Sequence, residues 1–137
     1  MHTRPSTDAT SAANDFPQVC YRSGAIIKER EKVGGGSGEG TLFCEYAFHR
    51  DNALPGHAMK EIVWLTFPSG ASIGMHAHEN NEDAYIIVSG SGIFTDSNGK
   101  EFPVKAGDTT IARKGESHAL KNTGTEPMLV LNVIAQQ

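Results

Sequence analysis

Short apolar segments separated by turn residues make up most of the chain from residue 41 onward. These segments are rich in β-branched and aromatic residues and stop at clusters of glycine, proline, serine or asparagine, which is typical of strands. None of them shows sustained 3.6-residue periodicity with helix caps. The predicted strands occupy residues 41–48, 61–67, 84–88, 93–95, 101–104, 109–111 and 128–134. Many short strands at this spacing predict an all-β sandwich or barrel.

The N-terminal part of the chain has a different composition. Residues 1–18 are mostly small and polar, and such a segment buries too little surface to offset its ordering entropy, so it is predicted to be a flexible tail. Residues 19–137 are predicted to form a single domain, in which residues 19–33 supply a first strand or arm. The glycine-rich segment 34–40 lacks the Lys-Ser/Thr pair and the following helix of a phosphate-binding loop. It predicts a flexible turn or a close approach of two backbones.

Charge and cysteine content narrow the functional classes. The 137 residues include 12 Lys plus Arg and 16 Asp plus Glu, and this acidic balance argues against a nucleic-acid-binding protein. No segment is apolar enough to span a membrane, and the N-terminus lacks the apolar core of a secretory signal, so we expect a cytoplasmic protein. Cys20 and Cys44 are expected to be unpaired thiols.

Histidines and acids form the strongest chemical signal. His76 and His78 are one residue apart and would share a face if the segment is a strand, because side chains alternate with period two. Glu82 or Asp83 follows shortly after, and His118 lies further along the chain. Imidazole and carboxylate bind divalent first-row transition metals without thiolate ligands. The sequence therefore predicts a metal site.

Two motifs around these residues resemble those of the cupin family. Gly70-x5-His76-x-His78-x4-Asp83-x6-Gly90 resembles the first cupin motif, and Gly107-x5-Arg113-x-Gly115-x2-His118-x3-Asn122 resembles the second. The stretch between the motifs is short, as in small single-domain bacterial cupins. Arg113 stands where the family usually has proline, which affects a turn and not a ligand. The resemblance implies a double-stranded β-helix, or jelly-roll barrel.

The resemblance also implies one metal bound by His76, His78, Asp83 and His118. The family usually has Glu in the acid position, and Glu82 fits a shorter allowed spacing. The strand pattern does not decide between the two acids, because Tyr85 and Ile87 on one face and the residues on the other face are all apolar. We favour Asp83 because the turn at Gly90 fixes the register, although a site of three histidines alone stays open. The expected cofactor is one divalent ion of Mn, Fe, Zn, Ni, Co or Cu.

Two functional hypotheses follow from the resemblance. The first is a metal-dependent enzyme for a small organic molecule, with oxygenase, decarboxylase, isomerase, lyase or cyclase chemistry and with Tyr85 as a proton donor. The alternative is a non-catalytic cupin that binds a small ligand or the metal itself. Small cupins are usually homodimers that pair or exchange N-terminal strands, and segment 19–48 is apolar enough for such an arm. Six residues are candidates for an apolar pocket wall: Trp64, Phe67, Met75, Tyr85, Ile87 and Phe94.

Overall fold

Ten β-strands in two antiparallel sheets make up the computed structural model, which describes residues 18–136. Most of the predicted tail, residues 1–17, and residue 137 lie outside the described part. A single 3₁₀ turn, Arg50–Asn52, joins β2 to β3. The strands are β1 Ile26–Glu31, β2 Thr41–Phe48, β3 Met59–Phe67, β4 Ser72–Ala77, β5 Asn81–Ser89, β6 Ser91–Thr95, β7 Glu101–Lys105, β8 Thr109–Ala112, β9 Ser117–Lys121 and β10 Met128–Gln136.

The two sheets enclose one hydrophobic core. One sheet has six strands in the order β1-β2-β3-β10-β5-β8, and the other has four in the order β4-β9-β6-β7. Several neighbours in the sheets are far apart in sequence, namely β3–β10, β10–β5 and β4–β9, as in a jelly roll, where long connections return strands to pair with earlier ones. The predicted all-β, double-stranded β-helix barrel is confirmed.

Strict alternation along the central strands determines which residues enter the core. On β3, Val63, Leu65 and Phe67 are buried while the intervening residues are only half-buried. β5 and β10 repeat this pattern, so one face of these three strands packs inward. The inward residues of both sheets form one cluster with Tyr85, Ile87 and Phe94. At about 25 cal/mol for each Å² of apolar surface removed from water, this cluster is the main source of folding free energy.

Two of the six predicted pocket-wall residues do not face the interior. Trp64 lies on the half-buried outer face of β3, since its neighbours Val63 and Leu65 take the inner positions. Met75 is 43% exposed because the pairing of β4 with β9 is irregular between Ile73 and His76. The other four residues of that set are buried in the core cluster.

Other expectations from the sequence are tested by the same coordinates. Cys20 is exposed and Cys44 is buried, and both are unpaired as expected. Within residues 18–136 there is no helix with the length and apolar character needed to cross a membrane.

Candidate metal centre

His76 and His78 approach the site from the end of β4. His76 lies in the strand and His78 directly follows it, so their side chains point to the same side, and their ring centroids are 4.8 Å apart. The turn before β9 forms hydrogen bonds with both main-chain groups of His78. The His78 N–H donates to Glu116 O at 2.9 Å, and the His78 carbonyl accepts from Gly115 N at 2.6 Å. The second motif therefore fixes the position of the first.

His118 enters from β9, directly across from His76 in the β4–β9 pair. Its side chain is fully buried, and its ring centroid is 4.7 Å from that of His76. The ring of Tyr85 stacks on it with centroids 4.6 Å apart and planes 4° apart, and Phe94 contacts it edge-on at 5.8 Å. These aromatic contacts restrict the orientation of the imidazole.

Asp83 supplies the carboxylate from the inner face of β5. It is only 2% exposed, and its Oδ2 lies 3.0 Å from His78 Nε2 and 3.1 Å from His118 Nε2. Asn132 on β10 donates a hydrogen bond to the other carboxylate oxygen. One ligand atom from each of His76, His78, Asp83 and His118 can be chosen so that all four lie within 4.8 Å of one another.

Glu82 does not join this group. It precedes Asp83 on a strand whose side chains alternate, so it lies on the opposite, half-buried face of β5. The remaining histidines of the described chain are also elsewhere. His57 is exposed, whereas His49 is buried and accepts a hydrogen bond from Asp51 N at the start of the 3₁₀ turn.

The hydrogen bonds of the imidazoles leave lone pairs where a cation would bind. His76 Nδ1 donates to Gly74 O at 2.7 Å, and His78 Nδ1 donates to Asn81 Oδ1 at 2.5 Å. In each neutral ring the other nitrogen, Nε2, is then an acceptor. His78 Nε2 therefore faces another acceptor group, the Asp83 carboxylate, at 3.0 Å, and His118 Nε2 also lies 3.0 Å from it. Crowded acceptors of this kind repel unless a proton or a metal ion lies among them, so the donor set fits a metal.

The pKa values of these side chains in the metal-free protein are shifted by burial and by their close neighbours. Burial disfavours the charged form of Asp83, but its hydrogen bonds with His118 and His78 outweigh this and lower the pKa of the carboxyl group. Burial likewise opposes protonation of His78, yet the hydrogen bonds to Asp83 and Asn81 raise its pKa. For His76, burial dominates and lowers the pKa. Burial, assisted by the Asp83 charge, raises the pKa of Tyr85 well above its usual value, so Tyr85 is a neutral phenol.

Three residues around the centre were not singled out from the sequence. They are Gly74, Asn81 and Asn132, which hold His76, His78 and Asp83 respectively. Asn132 was detectable, because it is the one polar residue inside the apolar run 128–134 and a buried amide needs a partner. The carbonyl of Gly74 leaves no trace in the sequence, since any residue has one.

Comparison with known proteins places this geometry in a family. The model of the cupin domain family matches residues 63–134, which include both β4 and β9 with their histidines. The chain belongs to the cupin family.

Three known proteins are similar to more than half of this cupin. An oxalate-binding protein from Thermotoga maritima is 38% identical over 120 residues, which cover 85% of this cupin and 93% of that protein. A crystal structure described as a predicted oxalate decarboxylase, also from Thermotoga maritima, has 33% identity and a TM-score of 0.75, covering 88% of this cupin and all of that chain. Auxin-binding protein 1 of Arabidopsis thaliana is 37% identical over 90 residues, or 58% of this cupin and 45% of that protein.

Proposed function

We propose that this cupin uses His76, His78, Asp83 and His118 to hold one divalent transition metal and binds a small carboxylate-containing molecule there. The convergence of these four ligand atoms within 4.8 Å is the observation that carries the proposal. A closed structural zinc site is disfavoured because the set contains no cysteine. The name of the oxalate-binding relative, which matches 85% of the chain, supports a carboxylate as the ligand.

The protein's own residues would set the geometry of this binding. Asn81 and Gly74 fix the tautomers of two histidines, and Asn132 orients the carboxylate of Asp83. When bound, the metal supplies Lewis-acid polarisation of ligand oxygen atoms. Tyr85 stays neutral and stacks on His118, so it can restrain that ligand. Its role as a proton donor stays a prediction, and its raised pKa makes it a weak acid for that role.

Binding of oxalate should depend on the metal. We expect calorimetry to detect oxalate binding to protein reconstituted with Mn, Fe, Co, Ni, Cu or Zn but not to the metal-free protein, because the metal provides the positive charge for the carboxylates. Acetate, which has a single carboxylate, is the control ligand. It should bind more weakly than oxalate because it cannot chelate the metal through two carboxylate groups. Equal binding of oxalate with and without metal would contradict the proposal.

A metal-dependent reaction on the same ligand is the second candidate. It is favoured by the resemblance to the structure described as a predicted oxalate decarboxylase. The balanced reaction breaks the carbon–carbon bond of oxalate and replaces carbon dioxide with a proton, giving formate without net oxidation. Formation of formate by the metal-loaded protein in the calorimetry samples would favour an enzyme. Oxalate recovered unchanged would favour the binding function.

We also propose that two copies associate through the outer face of the six-stranded sheet. Leu131, in the middle of β10, lies between Trp64 on β3 and Ile86 on β5, and all three point away from the core. Exposed Phe43 and Ile111 extend this face on the neighbouring strands. A broad apolar face of this kind is typical of an interface between subunits. β1, in the expected N-terminal arm, forms one edge of the same sheet.

The dimer should dissociate when charge is placed on that face. Sedimentation is expected to show a dimer for the unaltered protein and a monomer for Leu131→Glu, because a carboxylate buried between two copies would lose its hydration. Phe102→Glu, at an exposed apolar residue of the other sheet, should remain dimeric. A monomer at micromolar concentration in the unaltered protein would refute the interface.

A further inference from the structure

The glycine-rich loop between β1 and β2, residues 33–40, crosses to the other sheet and lies along the free edge of β4. Two main-chain hydrogen bonds join them, from Gly74 N to Val33 O at 2.8 Å and from Ser72 N to Glu39 O at 2.8 Å. Ser72 Oγ also accepts from Glu39 N at 2.8 Å. β4 is the edge strand of the four-stranded sheet, so this loop supplies the partners that the edge would otherwise lack.

The contact falls at an irregularity that directly precedes His76. β4 pairs with β9 at Ser72 and Ile73, and the register then shifts before pairing resumes at His76. Gly74 lies inside this irregularity. Its N–H is bound by the loop, and its carbonyl accepts the hydrogen bond from His76 Nδ1 at 2.7 Å. One residue thus connects the loop to a member of the metal-binding group.

The approach is too close for any side chain. A Cβ added at Gly34 would lie 2.4 Å from Gly74 O and 2.7 Å from Gly74 N. At Gly38 it would lie 2.3 Å from Val33 O and 2.5 Å from Ser72 O. Separations this short do not occur between such atoms, so glycine is needed at these positions for the loop to reach β4.

We propose that the glycine loop is a positioning element for His76. It holds Gly74 through the N–H of that residue, and the Gly74 carbonyl in turn keeps the proton of His76 on Nδ1 and leaves Nε2 as an acceptor for the metal. This inference rests on the proposed metal function. It predicts that a change in the loop, which contributes no ligand, weakens metal binding through His76. Outer partners that orient a metal-binding histidine are known to influence affinity by about 10–100-fold.

Gly34→Ala and Gly36→Ala form a matched pair for the test. Both positions have a positive φ, 87° and 81°, so alanine strains the backbone similarly at each. Gly34 faces the Gly74 carbonyl, whereas an added Cβ at Gly36 meets nothing within 4 Å. Calorimetry with Mn, Co or Zn should show affinity about 10–100-fold lower for Gly34→Ala. Gly36→Ala should stay within about twofold of the unaltered protein.

Nitrogen-15 NMR of the metal-free protein provides a readout that does not require a metal. The unaltered protein and Gly36→Ala should show His76 as the Nδ1–H tautomer, and Gly34→Ala should show a mixture of tautomers. Equal affinities for the two variants, or an Nε2–H tautomer of His76 in the unaltered protein, would overturn the inference. If the unaltered protein binds no transition metal, the proposed function fails, and the tautomer measurement still tests the loop separately.

Ser72→Ala covers the case in which Gly34→Ala does not fold. It removes the acceptor of the Glu39 N–H and leaves the rest of the contact in place. Loss of one hydrogen bond should lower metal affinity by no more than about fivefold and raise the amide exchange rate of Gly74. An unchanged Gly74 exchange rate together with unchanged affinity would count against a positioning role for the loop.

Discussion

The double variant His76→Ala with His78→Ala is expected to lose transition-metal binding by at least about a thousandfold. Loss of an outer partner of a ligand alone costs about 10–100-fold, and this variant removes two ligands themselves. It also leaves Asp83 and His118 without the partners that brought four ligand atoms within 4.8 Å. Elemental analysis after dialysis and calorimetry with each metal would measure the loss. Unchanged metal content would remove the site assignment outright.

Asp83→Asn and Glu82→Gln provide a single-site control on adjacent residues. Both replacements keep size and remove one negative charge. Asp83 lies 3.0 Å from His78 Nε2 and 3.1 Å from His118 Nε2, whereas Glu82 lies on the other face of β5. Only Asp83→Asn should therefore weaken metal binding, by at least about tenfold. A larger loss for Glu82→Gln would assign the acid position to Glu82.

The hydrophobic pattern of β5 could not decide which of these two acids faces the metal site. Periodicity requires Asp83 to share a face with Tyr85, and it requires Glu82 to share a face with Ile86. The usual rule that the apolar face is the inner one fails here because both faces of β5 are apolar. In the structure, Tyr85 is buried in the core and Ile86 lies beside Leu131 on the outer face. The same ambiguity explains Trp64, an aromatic residue that the sequence suggested for the interior.

The sequence also failed to predict the two strands that carry the histidines. Residues 72–77 and 117–121 form β4 and β9, but neither segment was predicted as a strand from its hydrophobic pattern. Both have polar residues facing inward, where a core strand would have apolar ones. Site residues thus break the local rule by which strands are recognised. The motif spacing compensated, because it brought His76 and His118 together without requiring the strands to be recognised.

Glu61 is also a polar residue at an inward position of a strand, and its pairing with Arg50 leads to the second large expected effect, a loss of stability. It is 3% exposed on the inner face of β3, across β10 from Asp83, since both are paired with Ile134. Arg50, from the 3₁₀ turn, binds it through two hydrogen bonds, Nε to Oε1 at 2.8 Å and Nη2 to Oε2 at 3.2 Å. Such a bidentate pair satisfies a carboxylate that water barely reaches.

Arg50→Ala is expected to lower the free energy of unfolding by about 2–4 kcal/mol, because it leaves a buried, uncompensated charge. The estimate is at the lower end for buried pairs since the Arg50 side chain is 49% exposed, so water can replace part of the interaction. For a domain of this size the melting temperature should fall by roughly 8–15 °C. Urea unfolding followed by circular dichroism would measure the change.

Two further variants separate a buried charge from a generic loss of contacts. Lys121→Ala breaks the exposed pair with Glu39, whose N–O distance is 3.1 Å, and should cost less than about 1 kcal/mol. The double variant Arg50→Met with Glu61→Leu replaces both charged side chains with apolar ones that still fill most of the space. It should therefore recover most of the stability lost in Arg50→Ala. If Arg50→Ala costs no more than Lys121→Ala, the pair contributes little to stability. If the double replacement fails to recover, the loss comes from the contacts of the arginine and not from the buried carboxylate.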